Sequence, residues 1–104
     1  KKKLRFVFTD VNLPAQFLFD IQPIQCIYHI KLNKNHPAYS DFFNILAKQE
    51  DLTDEGEPSA ERGLKLLLES WARLEDEAPK ELKEQLIDIR LEWGKLARLF
   101  FRKD

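Results

Sequence analysis

Apolar residues recur through the last forty positions of the chain at the spacing of two amphipathic helices. In the second helix they follow a strict 4-3-4-3-4 spacing at Leu82, Leu86, Ile89, Trp93, Leu96 and Phe100. In the first helix one face carries Leu64, Leu67, Leu68, Trp71, Leu74 and Ala78. Because an α-helix turns about 100° per residue, each set falls within one stripe. We therefore predict a long antiparallel hairpin over residues 60–101, interrupted at Pro79, whose apolar stripes are covered by the rest of the chain.

The first third of the chain alternates between apolar and polar positions, which is the pattern of half-buried strands. The apolar positions of the three predicted strands are Leu4, Phe6 and Phe8, then Phe17, Phe19 and Ile21, then Ile24, Cys26, Tyr28, Ile30 and Leu32. The turns between them are short, so residues 1–33 are predicted to form an antiparallel meander with one buried face.

After Asn33 the spacing of apolar residues changes from the alternation of a strand to the spacing of a helix. Asn35 is a good helix N-cap residue and Pro37 is tolerated in a first turn, so a short helix is predicted over residues 36–48. An acidic, solvated loop is predicted over residues 49–59. The predicted fold class is therefore α+β, with an antiparallel sheet of about three strands followed by three helices. The 104 residues are expected to form a single domain.

The hairpin carries a second apolar stripe, and burial of the first stripe does not account for it. It consists of Leu66, Ile87, Leu91 and Phe101, which point away from the main stripes. A helix that is apolar on two sides is usually packed on two sides. Either the sheet covers this second stripe, or the stripe is an interface to a second copy or to another domain. The interface hypothesis predicts that serine at Ile87 and Leu91 weakens association without loss of helix content.

Overall charge and composition restrict the function classes. The net charge of −1 argues against a dedicated nucleic-acid binder. Basic residues do cluster at the two ends, in Lys1–Lys3 and Arg5 and in Arg98, Arg102 and Lys103. If the termini meet, these residues form a patch that can contact phosphates, with Arg98, Arg102 and Lys103 as the candidates. Alternatively, the second cluster complements a helix dipole.

Cysteine content and hydropathy indicate a cytoplasmic protein. The single cysteine, Cys26, permits no internal disulfide, and no apolar run approaches the length of a membrane span. The chain starts with three lysines and contains no methionine, so we expect a fragment of a longer protein.

No constellation of residues predicts catalysis or metal binding. Cys26 and His29 are predicted on opposite faces of a strand, with Cys26 in the core and His29 at the surface, so they cannot share an ion. The three glycines are isolated, so no phosphate-binding loop is expected. The chain is therefore predicted to be no enzyme and to hold neither a cofactor nor a metal.

One run of residues resembles a known superfamily. The pieces that carry the resemblance are Ile30-Lys31-Leu32-Asn33, then Asn35-His36-Pro37-Ala38-Tyr39, then LLLESWARLEDE from Leu66 to Glu77. Together they resemble the C-terminal region of bacterial ATP-binding proteins of the gyrase, histidine-kinase and mismatch-repair (GHKL) type, as an order of motifs over residues 20–100. The most specific piece contains Asn35, His36, Pro37 and Tyr39.

The resemblance implies a non-catalytic domain that couples or dimerises a cytoplasmic GHKL-type ATPase. ATP and Mg²⁺ would then belong to the parent protein and not to this segment. The implied partner is a second copy or an upstream ATPase domain. The alternatives are a nucleic-acid-contacting accessory domain that uses the terminal basic residues and a generic protein-interaction module.

Overall fold

The computed structural model describes residues 4–52 and 54–102 and confirms an α+β fold. Three strands, Arg5–Val11 (β1), Phe19–Ile24 (β2) and Ile27–Asn33 (β3), form one sheet. A helical segment follows, with a π-helical turn over Tyr39–Phe43 that continues into Asn44–Glu50 (α1). The two long helices, Ala60–Glu77 (α2) and Lys80–Phe101 (α3), end the chain. The predicted order of elements, the short helix and the long hairpin are thus confirmed.

The prediction of an antiparallel meander is wrong, because the sheet is mixed. Its strand order is β1-β3-β2, with β3 antiparallel to β2 but parallel to β1. The reason lies in the two connections. Gln25 and Cys26 form a tight turn between β2 and β3, in which Gln25 has a φ of 56°, whereas residues 12–18 carry the chain across the end of β3. Such a long connection leaves room for β3 between β1 and β2.

The core lies between one face of the sheet and the helices. Its sheet layer consists of Phe19, Ile21, Tyr28, Ile30 and Leu32, with Phe6 and Phe8 packed at its border. The helices contribute Leu68, Ala72 and Phe43. Cys26, predicted to share this face, is instead exposed, because it lies in the β2–β3 turn and not in a strand. His29 lies on the other face and is partly exposed.

The ends of the two long helices follow local signals. The Ser59 hydroxyl accepts a hydrogen bond from the Arg62 N–H at 3.1 Å and so caps the start of α2. Pro79 separates the helices, and its carbonyl accepts hydrogen bonds from the N–H groups of Leu82 and Lys83. These two residues place the hairpin as the sequence predicts.

The way in which α3 meets the sheet was not predicted. The residues of α3 that are buried are Arg90 and Gly94, which lie between the apolar positions of the regular 4-3-4 stripe. A Cβ atom at Gly94 would lie 2.9 Å from both the Gln16 carbonyl oxygen and the Leu18 nitrogen. Because no side chain fits there, the α3 backbone rests directly on the connection between β1 and β2. The stripe that was predicted to be covered is thereby turned away from the core.

Candidate interaction surface

Asn33 joins three parts of the chain at the end of β3. Its side chain is fully buried and uses its full hydrogen-bonding capacity. The amide oxygen accepts from the N–H groups of Leu13 (2.8 Å) and Asn35 (3.0 Å). The amide nitrogen donates to the carbonyl oxygens of Pro14 (2.9 Å) and Phe17 (2.7 Å). The connection that crosses the sheet end has no strand beside it, and the Asn33 side chain supplies hydrogen-bond partners for its backbone groups instead.

His36 fastens the same sheet end to α3. The ring is buried, its Nδ1 accepts a hydrogen bond from the Ala38 N–H at 3.0 Å, and its Nε2 lies 2.9 Å from the Gly94 carbonyl oxygen. These partners fit a neutral imidazole protonated on Nε2, which donates to the carbonyl. Burial is the main cause that lowers the pKa of His36 below its ordinary value, and the nearby charge of Arg98 acts in the same direction. The hydrogen bond to Gly94 opposes both.

This environment predicts that the fold loses stability when the medium becomes mildly acidic. The pKa of His36 is lower in the folded than in the unfolded chain, so the unfolded chain binds the proton more readily. The contribution of the neutral ring is present above pH 6.5 and is lost as the pH falls towards the folded pKa. Urea unfolding between about pH 7.5 and about pH 5.5 is expected to show this loss in the natural chain.

Two histidine variants isolate the effect. His29→Gln is expected to retain the pH dependence, because that ring lies on the open sheet face. His36→Gln is expected to be less stable at neutral pH and to show a smaller change with pH. Equal pH dependence in the natural chain and in His36→Gln would contradict the assignment.

The other residues of the Asn-His-Pro-Tyr motif also serve the structure. The Asn35 side chain donates to the Leu13 carbonyl at 2.9 Å and does not cap the helix, because His36 Nδ1 already accepts the Ala38 N–H. The prediction of Asn35 as the N-cap is therefore wrong. Pro37 follows His36 in the first helical turn. The Tyr39 hydroxyl donates to Asp10 Oδ2 at 2.9 Å, and this bond is the main cause that raises the Tyr39 pKa.

A buried ion pair connects α2, α3 and the sheet. The Arg90 guanidinium is 3% exposed and binds both Glu75 oxygens, with 2.8 Å from Nε and 3.3 Å from a terminal nitrogen. The same group reaches Asp20 Oδ1 at 3.2 Å and lies over the Phe19 ring, 5.6 Å from its centroid. The Trp71 indole also donates to Glu75. These two parallel hydrogen bonds between Arg90 and Glu75 fix the rotation of α3 and its position along α2.

Beside this ion pair, the two helices carry an exposed apolar surface, which we call the hairpin seam. It consists of Leu64, Leu67, Trp71, Leu74 and Ala78 on α2 and of Leu82, Leu86, Ile89, Trp93, Leu96 and Phe100 on α3. Four of these are partly buried, namely Leu64 and Trp71, which pack against the core, and Ala78 and Leu86. Within it Leu67 is 68% exposed, Leu96 56% and Phe100 86%. Ile89, Trp93 and Leu74 are about half exposed. Most of the stripe that was predicted to be buried is therefore accessible.

The two halves of the seam lie on the sides of α2 and α3 that are nearest each other. Arg90 bonds to Glu75, so Glu75 lies on the side of α2 that faces α3. Trp71, one turn before Glu75, borders the same side and bonds to it. On α3 Trp93 borders this side too, with its ring edge against Phe19. Leu67, Leu74, Ile89 and Leu96 continue from these tryptophans towards solvent. The seam therefore borders the space between the two helices and is accessible from outside.

The seam could have been recognised from its regularity. A stripe of 3-4 spacing that repeats over nearly three heptads is the narrow seam of a coiled coil, whereas a helix that packs on a sheet usually shows a wider face. On α3 the sheet-facing positions are instead occupied by Arg90, Gly94 and Ala97, which sequence reasoning left unassigned. Gly94, a small residue on the neighbouring stripe of α3, was the feature of the sequence that could have indicated a close backbone contact there.

The structure does not bring the four predicted interface residues together. Leu66 is exposed on the side of α2 that faces Glu50, where both residues border one shallow pocket. Phe101 packs against the core and borders a cleft with Ser40 and Asp41. Ile87 and Leu91 lie on the flank of α3 opposite Ile89, about 60° and 100° from Arg90. Their role as an interface stays a prediction.

The basic residues predicted to contact phosphates are only partly described. Arg98 is half-buried near His36, and Arg102 is exposed just after α3. Arg5 lies at the opposite end of the sheet, paired with Ile27 at the start of β3. Lys103 and Lys1–Lys3 lie outside the described residues, so the patch that joins the two termini is not tested.

Candidate metal ligands do not cluster in the described part of the chain. No group of three or more His, Cys, Asp or Glu side chains could hold a metal ion among residues 4–52 and 54–102. Four buried polar side chains, Asn33, His36, Glu75 and Arg90, all bond to backbone groups or to each other. They hold elements of the fold together.

Comparisons with known proteins identify no relative. Within the described residues, no helix combines the length and the apolar character that a membrane crossing requires. No family model, no curated protein and no solved structure matches this chain.

Proposed function

We propose that this chain is a non-catalytic protein-interaction domain whose contact surface is the hairpin seam. The observation that carries the proposal is the exposure of a regular apolar seam on both long helices. Seven of its eleven side chains are more than 40% exposed, among them Leu67, Leu96 and Phe100. Large apolar side chains gathered at the surface of two neighbouring helices are typical of a protein contact.

The interior of the domain supports a binding role because it keeps the surface rigid. Arg90 and Glu75 fix the two helices to each other, and His36 ties α3 to the end of the sheet. A seam on preorganised helices is not reshaped on binding, which lowers the entropic cost of association. The domain is thus suited to hold two partners in a defined geometry, as a coupling or dimerisation module must.

The resemblance to GHKL-type ATPases supplies the context of the proposal. In that context the domain couples or dimerises a cytoplasmic ATPase, and ATP and Mg²⁺ are bound by the parent protein outside this segment. This part of the proposal rests on the motif order of residues 20–100 alone. The contact role of the seam rests on the exposed helices and is independent of it.

Site-specific photo-crosslinking in the source cells tests the contact role. A benzophenone amino acid at Leu96 probes the seam, the same amino acid at Ile87 probes the second stripe, and a third at Gln22 on the open sheet face is the control. We expect an adduct of discrete mass from Leu96 and none from Gln22. An adduct from Ile87 alone would make the second stripe the interface. That result, or no adduct from Leu96, would overturn the proposal.

A further inference from the structure

We infer that the free edge of the sheet along β1 binds an extended peptide segment of another protein, which pairs with β1 as a fourth strand. This surface is distinct from the hairpin seam, so the inference goes beyond the proposed function and does not rest on it. It is carried by the open backbone of β1, by the contrast with the protected edge of β2, by a cavity beside β1 and by the charges around that cavity.

One side of β1 carries backbone groups that find no backbone partner among the described residues. The order β1-β3-β2 places β1 at the edge of the sheet, and its seven residues include no proline. On the inner side, the Arg5 N–H donates to the Cys26 carbonyl at 3.2 Å. Backbone groups alternate in direction along a strand, so the N–H and C=O groups of Phe6, Phe8 and Asp10 point away from β3. Such a row of open groups is a template for another strand.

The opposite edge of the sheet, along β2, is protected against pairing. The Leu18 carbonyl accepts a hydrogen bond from the end of β3, so by alternation the outward groups belong to Phe19, Ile21 and Pro23. Pro23 has no N–H group, and the Phe19 carbonyl already accepts a hydrogen bond from Arg90 at 3.4 Å. Proline and coverage by a neighbouring element are common ways to keep a sheet edge from pairing. The edge along β2 has both, and the two edges therefore differ in their capacity to accept a strand.

A cavity of about 190 Å³ borders β1 on the side of the sheet that faces the helices. It is lined by Phe8 of β1, by Leu32 of β3, by Phe43 and Ala47 beside α1, and by Lys65 of α2, among others. The side chains of an added strand alternate between the two faces of the sheet. One that points towards the helices lies next to Phe8, its cross-strand neighbour. The cavity therefore has room for an apolar side chain of the bound segment.

The charges around the cavity favour a segment that also carries a basic residue. The Lys65 ammonium group lies 3.6 Å from Glu61 and 5.3 Å from the centroid of the Phe8 ring, so its charge is already paired. Asp10, which also borders the cavity, forms no ion pair within the described residues and is exposed. Asp10 and Phe8 are two positions apart and share one face of β1. The preferred segment therefore has an apolar residue opposite Phe8 and a basic residue two positions along, opposite Asp10.

Defined peptides test which segment the edge accepts. The main probe, the leucine–arginine peptide, is seven residues of threonine with leucine at the centre and arginine two positions later. Titrated into the isotope-labelled full chain, it is expected to cause saturable NMR shifts and slower hydrogen exchange at the Phe6 and Phe8 amides. Alanine in place of the leucine is expected to weaken binding about tenfold, because the cavity then stays unfilled. Glutamate in place of the arginine is expected to weaken binding most at low salt.

A backbone variant isolates the edge from the side chains. Chemical ligation at Cys26 allows residues 1–25 of the full chain to be synthetic, so a methyl group can be placed on the Phe8 nitrogen. The methyl group removes the outward N–H and blocks a neighbouring strand, whereas the bonds to β3 are kept. N-methylation of Ile21, outward on β2, is the matched control. Methylation at Phe8 is expected to weaken binding of the fluorescently labelled leucine–arginine peptide at least about tenfold, and methylation at Ile21 is expected to leave it unchanged.

Four results would overturn the inference. They are no binding of the leucine–arginine peptide at millimolar concentration, shifts confined to other surfaces, equal binding of the leucine and alanine peptides, and equal binding by the chain methylated at Phe8. Circular dichroism confirms that the methylated chains are folded before they are compared. Protection of the Phe6 and Phe8 amides that rises with the concentration of the free chain would place a second copy at this edge, and would overturn the inference of a different protein.

Discussion

Replacement of Arg90 by alanine is expected to lower the free energy of unfolding by about 3–5 kcal/mol, the cost of breaking a buried ion pair on one side only. The guanidinium is 3% exposed and donates to both oxygens of Glu75 and to Asp20. Without it, the Glu75 carboxylate stays buried, and among the residues that the structure describes the Trp71 indole is the one donor still bonded to it. Packing of the Arg90 side chain on Phe19 is lost as well. Urea unfolding followed by circular dichroism measures the change.

Arg73→Ala is the matched control on the other side of α2. Arg73 bonds to Glu77 at 2.8 Å, the same distance as the Arg90 Nε bond, but the two side chains are 57% and 60% exposed. Water screens this pair, so its loss is expected to cost no more than about 1 kcal/mol. A similar loss of stability in both variants would contradict the role assigned to the buried pair.

A double variant separates charge from packing. In Arg90→Met with Glu75→Leu, both charges are replaced by apolar side chains, which in buried pairs is often neutral or stabilising. We expect this variant to be more stable than Arg90→Ala. If it is equally unstable, the polar network itself, and not the uncompensated charge, holds the hairpin in place.

The elements of this fold could be predicted from local sequence, because their signals lie within a few residues. Ser59 caps α2, Pro79 starts α3, and strict alternation marks β3, so each boundary has a nearby physical cause. The choice of an α+β fold follows from the order of these elements. No long-range contact was needed to find them.

Strand order could not be predicted, because alternation specifies which residues share a face but not which strands pair. The deciding residue is Asn33, whose side chain bonds to backbone groups 16 to 20 residues earlier in the chain. These bonds stabilise a connection that crosses the sheet end and so place β3 between β1 and β2. Nothing in the local pattern distinguishes such an asparagine from an ordinary turn residue.

The orientation of α3 was also beyond the sequence pattern. Helical periodicity identifies the stripe of Ile89 and Trp93, but it does not say whether the stripe meets the sheet or a partner. Arg90 appears charged and therefore external until Glu75, from the preceding helix, is seen to neutralise it. Gly94 permits the close backbone approach that turns the stripe outward. Both residues act through partners distant in sequence.

Where the proposed function takes its dimerising form, substitution in the hairpin seam is expected to abolish self-association without loss of the fold. Ile89 and Leu96 lie in the centre of the α3 part of the seam and are about half exposed in one copy, so serine there removes little of the monomer core. Truncation of a central, fully desolvated interface residue can cost about 2 kcal/mol, and each substitution occurs in both copies, so the double variant should associate at least about 100-fold more weakly. Ile87→Ser with Leu91→Ser is the matched control on the opposite flank of α3.

Sedimentation equilibrium of the purified chain over a wide concentration range tests the central claim most directly. The natural chain is expected to pass from its monomer mass of 12.3 kDa to twice that value as concentration rises. The Ile89→Ser, Leu96→Ser variant should stay monomeric over the same range, with unchanged helix content, and the Ile87→Ser, Leu91→Ser variant should dimerise like the natural chain. A natural chain that is monomeric throughout, or a dimer that only the Ile87 and Leu91 pair disrupts, would contradict the assignment of the hairpin seam as the surface joining two copies.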